Sequence, residues 1–265
     1  MMILLTGKPG MGKTLTLTSF AYKNFKEKNP PFRIWIKEHI LRKKHIYDLS
    51  EYSDYPIVFK KPKKNKKYLF YDELGNVCES DHLSSLKFRI FDLFLENKFK
   101  EGANFYIDEI QCKYDSMEYK DFPDAIAHYC QAHRHFDNNI YIASQSQSRV
   151  IKRLLVLCEE YWNIQSFRKI FGFVICRIRR SWELSASLES NASADLYTDC
   201  DYFTKIYRLK KVGNMYDSKY LKYLQENARP YPCRMYNELQ LSKNGLLNQF
   251  FPSEELKEHL KNMRY

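Results

Sequence analysis

The densest chemistry in this chain lies near its start, in Gly7-Lys8-Pro9-Gly10-Met11-Gly12-Lys13-Thr14, which satisfies the pattern GxxxxGK[ST] between an apolar strand pattern and a helical one. Glycines let a backbone turn sharply and approach an anion without a Cβ in the way, so that successive N–H groups converge on phosphate oxygens. Lys13 adds a point charge to the same oxygens. The start of the following helix contributes roughly half a positive charge there, and the Thr14 hydroxyl is placed for Mg²⁺. All eight residues, Gly7 through Thr14, are therefore candidate binding residues for ATP, with Thr14 a candidate metal ligand.

Such a loop needs a carboxylate beside the magnesium, supplied by an apolar strand ending in acid. Two segments have that form: Tyr68-Leu69-Phe70-Tyr71-Asp72-Glu73 and Asn104-Phe105-Tyr106-Ile107-Asp108-Glu109. The second is favoured, because a later strand ends in Ser144-Gln145, and Gln145 could orient a water or sense the γ-phosphate. In this reading Asp108 holds the metal through water, Glu109 is the general base that activates the attacking water, and Asp72-Glu73 ends a surface strand. Arg149 and Arg153 fall on the next helix pattern, where one could reach a neighbouring subunit's γ-phosphate if subunits form a ring. A phosphotransferase would share the loop, but Asp108-Glu109 with Gln145 suits activation of water better than an acceptor alcohol. No NKxD motif for guanine occurs. His133-Arg134-His135, with Cys130 nearby, suits no standard zinc spacing and reads as a polar helix end near the nucleotide or a neighbouring subunit.

These residues need elements to hold them. Met2 to Thr6 reads as a strand and Lys13 to Lys26 as a helix with apolar positions 17, 20, 21 and 25. Arg33 to Ile36 reads as a second strand, Lys60 to Lys67 as a basic turn, and Tyr68 to Tyr71 as a buried strand. Asp81 is placed to cap a helix with an apolar stripe at 83, 86, 90, 93 and 94. Phe105 to Ile107 (strand), Phe122 to Ala132 (helix), Ile140 to Ala143 (strand) and Arg149 to Glu159 (helix) follow. Alternation of this kind implies an α/β fold, a mostly parallel sheet covered by helices. Past about residue 165 the pattern changes. Phe173 to Cys176 and Lys205 to Leu209 are isolated strand candidates around a polar stretch, Ser185 to Asp201, and helix patterns lie near 218–226 and 253–261. The expected division is a P-loop core over 1–168 and a smaller mixed extension over 169–265.

The chain has 265 residues, 44% of them hydrophobic, with 8 Gly and 9 Pro, so it can build a core and has little linker material. Its formal charge of +11 favours polyanionic partners, nucleic acid or anionic lipid. The 7 cysteines lie apart without a CxxC pair and read as reduced core thiols. No run approaches the roughly 18 apolar residues of a membrane helix, and Met1 leads straight into a strand pattern with no secretory leader, so the expected location is the cytosol.

Taken in order, Gly7 to Thr14, Ile107-Asp108-Glu109-Ile110-Gln111, His133-Arg134-His135, the strand to Ser144-Gln145 and Ile151-Lys152-Arg153-Leu154 resemble the zonular occludens toxin family. That family includes the gene I assembly ATPases of filamentous phages and is related to the FtsK–HerA DNA-pumping ATPases. Gly213-Asn214-Met215-Tyr216-Asp217-Ser218 is similar to its glycine-tyrosine-serine segment. The resemblance implies an ATPase that extrudes and assembles a virion carrying single-stranded DNA, as a homo-oligomer, at the inner membrane of a bacterial host. Members usually carry a membrane helix after the ATPase domain and this sequence has none. A membrane-embedded partner, a soluble DNA-packaging or conjugative-transfer role, and a nucleotide-gated scaffold therefore stay open beside it.

Overall fold

The computed structural model describes residues 1–61, 63, 66–71, 75–94, 99–112, 114, 122–182 and 200–216, which fall within one compact unit, Met1–Ser218. The chain opens with β1 (Met2–Thr6), α1 (Lys13–Lys28) and α2 (Pro31–Trp35), which continues as a π-helical segment, Ile36–Ile40. Short strands follow: β2 (Ile46–Tyr47), β3 (Glu51–Ser53), β4 (Val58–Lys60), β5 (Tyr68–Tyr71), β6 (Val77–Ser80), β7 (Leu83–Ser84) and β8 (Leu86–Lys87). After a 3₁₀ segment at Ile90–Phe94 come β9 (Asn104–Ile107), α3 (Asp124–Ala132), β10 (Asn139–Ser144), α4 (Lys152–Leu157), β11 (Glu160–Ile170), β12 (Phe173–Ser181), β13 (Cys200–Arg208) and α5 (Leu209–Val212).

Eight strands make the main sheet in the order β13-β12-β11-β1-β10-β9-β3-β8. From β11 to β8 every pairing is parallel; β12 and β13 add an antiparallel edge. The fold is thus mixed α/β with a mostly parallel central sheet. Both faces of β1 are covered, since all five of its residues are buried, as an apolar run inside a parallel sheet requires. Ile3 and Leu5 join Leu17, Phe20, Ala21 and Phe25 of α1 in one core cluster. Phe20 stacks on Tyr141 of β10 at 5.5 Å between ring centroids, and Phe25 on Phe59 at 4.4 Å. Two small sheets, β2-β5-β6 and β4-β7, stand apart from the main one.

Several local expectations are corrected. Arg33 to Ile36 is helical: Pro31 occupies the first helical position, where its missing N–H and fixed φ favour a helix start, and a short apolar run does not distinguish strand from helix by itself. The helix expected after Asp81 is replaced by β7 and β8, because non-local bonds prevail there. The Ser85 hydroxyl lies 2.7 Å from Ser53 Oγ and accepts from Ile57 N–H at 3.2 Å, while β8 pairs with β3. Arg149 to Glu159 is not one helix but a 3₁₀ turn, Gln147–Arg149, followed by α4. Phe173 to Cys176 and Lys205 to Leu209, read as isolated strands, pair with each other within β12 and β13 as far as Arg208, and Leu209 begins α5. β11 runs unbroken past residue 168. Cys130, Cys158 and Cys176 are buried thiols, but Cys112 is exposed. Asp72, Glu73, Cys233, the polar stretch from 185 to 199 and the two helix patterns beyond 217 lie outside the described residues.

Candidate functional site

The loop from Gly7 to Gly12 joins the end of β1 to α1, and Gly12 is the residue preceding the helix, at φ +80°. Gly10 has φ +79°. Left-handed backbone of this kind favours glycine. At Gly12 space is a second constraint: an added Cβ would lie 2.4 Å from Cε2 of Phe167 on β11. Gly12→Ala is therefore expected to displace either the loop or the Phe167 ring, and to weaken nucleotide binding at least tenfold with about 1–3 kcal/mol of lost stability. The double variant with Phe167→Ala should recover part of that loss; parallel calorimetry on both variants checks it, and no recovery would remove the steric account. Lys8 and Met11 close the turn through Met11 N–H to Lys8 O at 3.2 Å, with Lys8 and Pro9 exposed.

Lys13 is only 5% exposed. Its Nζ donates to Gly7 O at 3.1 Å and stands 3.7 Å from Glu109 Oε1. Thr14 Oγ1 donates to Asp108 Oδ2 at 2.6 Å. Both carboxylates follow the C-terminal end of β9, which is not beside β1: β10 lies between them. Gln145 follows that middle strand, and its Nε2 donates to Glu109 Oε2 at 3.2 Å; Gln111 donates to the same oxygen. Glu109 has φ +50°, a strained conformation for a residue with a side chain. Lys13, Thr14, Asp108, Glu109 and Gln145 thus come together across three strand ends.

Arg153 does not join them; on α4 it pairs with Asp124 of α3, both side chains exposed. Arg149 is exposed on its 3₁₀ turn and makes no hydrogen bond or ion pair with the cluster among the described residues. The His133-Arg134-His135 turn is not near this cluster, which corrects its placement beside the nucleotide: it sits where β10 begins, at the opposite end of the strands. There His133 and Arg134 approach Glu159, which also lies 3.7 Å from the Met1 amine.

Burial raises the Asp108 carboxyl to a pKa of about 6, with the Thr14 hydrogen bond and Lys13 acting the other way and the Glu109 charge reinforcing it. The folded state then binds a proton more readily than the unfolded chain, so stability falls as pH rises from about 4 to about 6, by at most about 3 kcal/mol. Asp108→Asn should flatten the urea-unfolding free energy of this protein over that window relative to wild type; an unchanged slope would show that Asp108 is not the group involved.

Four residues of this site carried no assigned role in the sequence. Asp54, just after β3, receives the Asp108 N–H on both carboxylate oxygens, at 3.1 and 3.0 Å. Tyr55 lies 3.2 Å from the Thr18 hydroxyl, and its phenol is held well above its ordinary pKa by burial and then by the Asp108 charge. Tyr216 is raised by the same two causes and contacts Tyr55 edge-on at 6.3 Å. Gln111 is the fourth. Only Tyr216 and Gln111 stood within segments that had been singled out; Asp54 and Tyr55 lack any local signal, since β3 spans just three residues.

This donor set fits magnesium and a phosphate chain: a buried ammonium, a hydroxyl on a carboxylate and a second carboxylate, gathered at a glycine loop before a helix. No protein-family model matches the chain, and no curated protein does. Among solved structures it is similar to the N-terminal domain of zonular occludens toxin from Neisseria meningitidis, with 18% identity over 82% of this chain and 98% of that one, at a TM-score of 0.47. It is also similar to the genome packaging NTPase B204 of Sulfolobus turreted icosahedral virus 2, solved with ATP-gammaS, with 15% identity over 63% of this chain and 75% of that one, at a TM-score of 0.33.

Proposed function

We propose that this protein hydrolyses ATP with Mg²⁺ and uses the energy to move or package DNA, in the assembly and extrusion of a filamentous virion. The observation that carries the chemical part is the 3.7 Å approach of Lys13 Nζ to Glu109 Oε1, beside the Thr14–Asp108 hydrogen bond. Thr14 and Asp108 would hold the magnesium, whose charge would neutralise phosphate oxygens as the terminal bond breaks. The loop N–H groups and Lys13 bind the phosphates. Glu109 accepts the proton of a water whose oxygen attacks the γ-phosphorus; the bond to the β-phosphate oxygen breaks, and ADP and phosphate leave. Gln145 and Gln111 fix the Glu109 carboxylate, and Asp54 fixes the backbone of Asp108.

In this reading residues 1–168 carry the chemistry, the protein works as a homo-oligomeric ring at the cytoplasmic side of an inner membrane with an embedded partner, and single-stranded DNA is its cargo. Of the two helix arginines, exposed Arg149 could meet a neighbouring subunit directly, whereas Arg153 would first have to leave Asp124. Among the described residues no helix is long and apolar enough to cross a membrane. Glu109→Gln is the decisive variant: it should bind ATP within a few-fold of wild type while phosphate release falls by about 10²–10⁴. Phosphate release at the wild-type rate would refute the general base. Wild-type biological function without hydrolysis would point instead to a nucleotide-gated scaffold.

A further inference from the structure

Four large apolar side chains are exposed within one short stretch outside the nucleotide site. Phe32, Trp35, Ile40 and Leu41, on and just after the segment formed by α2 and its π-helical continuation, are 72%, 50%, 60% and 54% exposed. Ile34 of the same segment packs against the core. The outward face is marked by near-parallel ring contacts, Phe32 to Trp35 at 6.4 Å and Trp35 to His39 at 5.6 Å. A solvent-facing helix stripe is ordinarily polar; this one is apolar, with exposed Arg33 and Lys37 beside it.

The chain then turns at Arg42, in left-handed conformation, into a basic cleft of about 260 Å³ lined by Arg42, Lys43, Lys44, His45, Lys66 and Lys67, with Glu38. Glu38 is engaged by Lys66 at 3.4 Å. His45 is only 6% exposed, and among the described residues neither ring nitrogen has a hydrogen-bond partner. Buried polar atoms are normally satisfied, so an unpartnered imidazole in a cleft of cations points to an anionic oxygen that completes it.

We propose that the Pro31–Leu41 segment and this cleft form one docking surface for an anionic phospholipid bilayer, with Trp35, Ile40 and Leu41 entering the headgroup boundary and a lipid phosphate entering the cleft beside His45. Apolar residues flanked by lysine and arginine on a short helix are the composition of an element that lies in a membrane interface. Two other occupants fit less well. Ile40 and Leu41 offer a nucleic-acid base neither a ring to stack on nor a donor, and the three rings already stack on one another. A second copy meeting this face with the same face would set Arg33, Lys37, Arg42, Lys43 and Lys44 against their own like charges.

Co-sedimentation of the full chain with vesicles of phosphatidylcholine alone, or of phosphatidylcholine with phosphatidylglycerol, tests the proposal. Binding is expected only to the second, weakening steeply with salt. Lys43→Glu/Lys44→Glu should weaken it at least about tenfold, and Ile40→Ser/Leu41→Ser roughly tenfold; all four side chains are exposed, so the fold should survive, which circular dichroism verifies. Lys13→Ala should sediment like wild type, so a failure of the nucleotide reading leaves this result intact. Equal binding to neutral vesicles, or unchanged binding of the Ile40/Leu41 variant, would overturn it. So would release from the vesicles by a single-stranded oligonucleotide whose own binding requires Trp35, which would assign the surface to nucleic acid.

Discussion

Replacing Lys13 by alanine should lower ATP turnover by about 10²–10³ or more, with a matching loss of affinity for the triphosphate. Lys13 is nearly fully buried, and among the described residues it bonds the Gly7 carbonyl and approaches Glu109. Its charge is therefore held in a site where little solvent can substitute for it, and electrostatic interactions are stronger there than at the surface. Alanine also removes the stem that fills the space under the loop, so Lys13→Met is the more informative partner variant, keeping volume and deleting charge. If Lys13→Met and Lys13→Ala lose turnover equally while their unfolding free energies differ, the loss is electrostatic. Steady-state phosphate release and nucleotide titration on both variants measure this. Turnover within threefold of wild type in the methionine variant would remove Lys13 from the mechanism.

Glu51→Ala is expected to be the most destabilising single change, costing about 3–5 kcal/mol, a large part of the roughly 5–15 kcal/mol typical of a domain. Glu51 is wholly buried at the start of β3 and accepts from Asn104 Nδ2 at 2.9 Å and from the Tyr106 phenol at 2.6 Å, with Lys28 Nζ 3.5 Å away. Lys28 also donates to Gly102 O at 2.6 Å, and Asn24 of α1 donates to the Tyr106 oxygen at 2.8 Å. Burial pushes the Glu51 carboxyl above its ordinary pKa, against the pull of Lys28 and the two donors. Alanine would leave the Asn104 amide and the Tyr106 hydroxyl without this acceptor in a site that water reaches poorly, while Lys28 keeps its bond to Gly102 O, and each stranded group carries its own desolvation cost. Glu51→Gln keeps a carbonyl acceptor and should cost less. Urea unfolding of the two variants decides the matter; a loss below about 1 kcal/mol for alanine would mean that the network relaxes around the gap. Because these residues begin β3 and β9, at the opposite end of the strands from the glycine loop, nucleotide affinity measured well below the unfolding transition should stay within a few-fold of wild type.

How much of this could be read beforehand follows from how each feature is encoded. The glycine loop is contiguous: strand, turn and helix start are neighbours in the chain, so residue types alone specify a left-handed turn at Gly12, a helix from Lys13 and a lysine followed by a hydroxyl. The acidic strand end at Asp108-Glu109 and the polar end at Ser144-Gln145 are short local patterns as well. Competition between two similar acidic segments is different. Tyr68 to Tyr71 and Asn104 to Ile107 look alike by composition, and which one enters the main sheet depends on pairing: β9 lies between β10 and β3, whereas β5 joins β2 and β6.

Local apolar spacing therefore determined the alternation of strand and helix, the parallel sheet and the residues able to meet a phosphate chain, because backbone preference and burial act over a few neighbouring positions. Only the tertiary structure decided that β10 separates the lysine strand from the acidic one, that Asp54, Tyr55 and Tyr216 surround Asp108, and that Phe167 leaves no room for a side chain at Gly12. It also turned Leu83 to Lys87 into strands, whereas the helix over Arg33 to Ile36 has a local cause in Pro31. The long-range outcomes come from contacts between residues distant in the chain, such as Ser53 with Ser85 and Gly12 with Phe167, whose free energy exceeds the few tenths of a kcal/mol per residue by which intrinsic propensities differ.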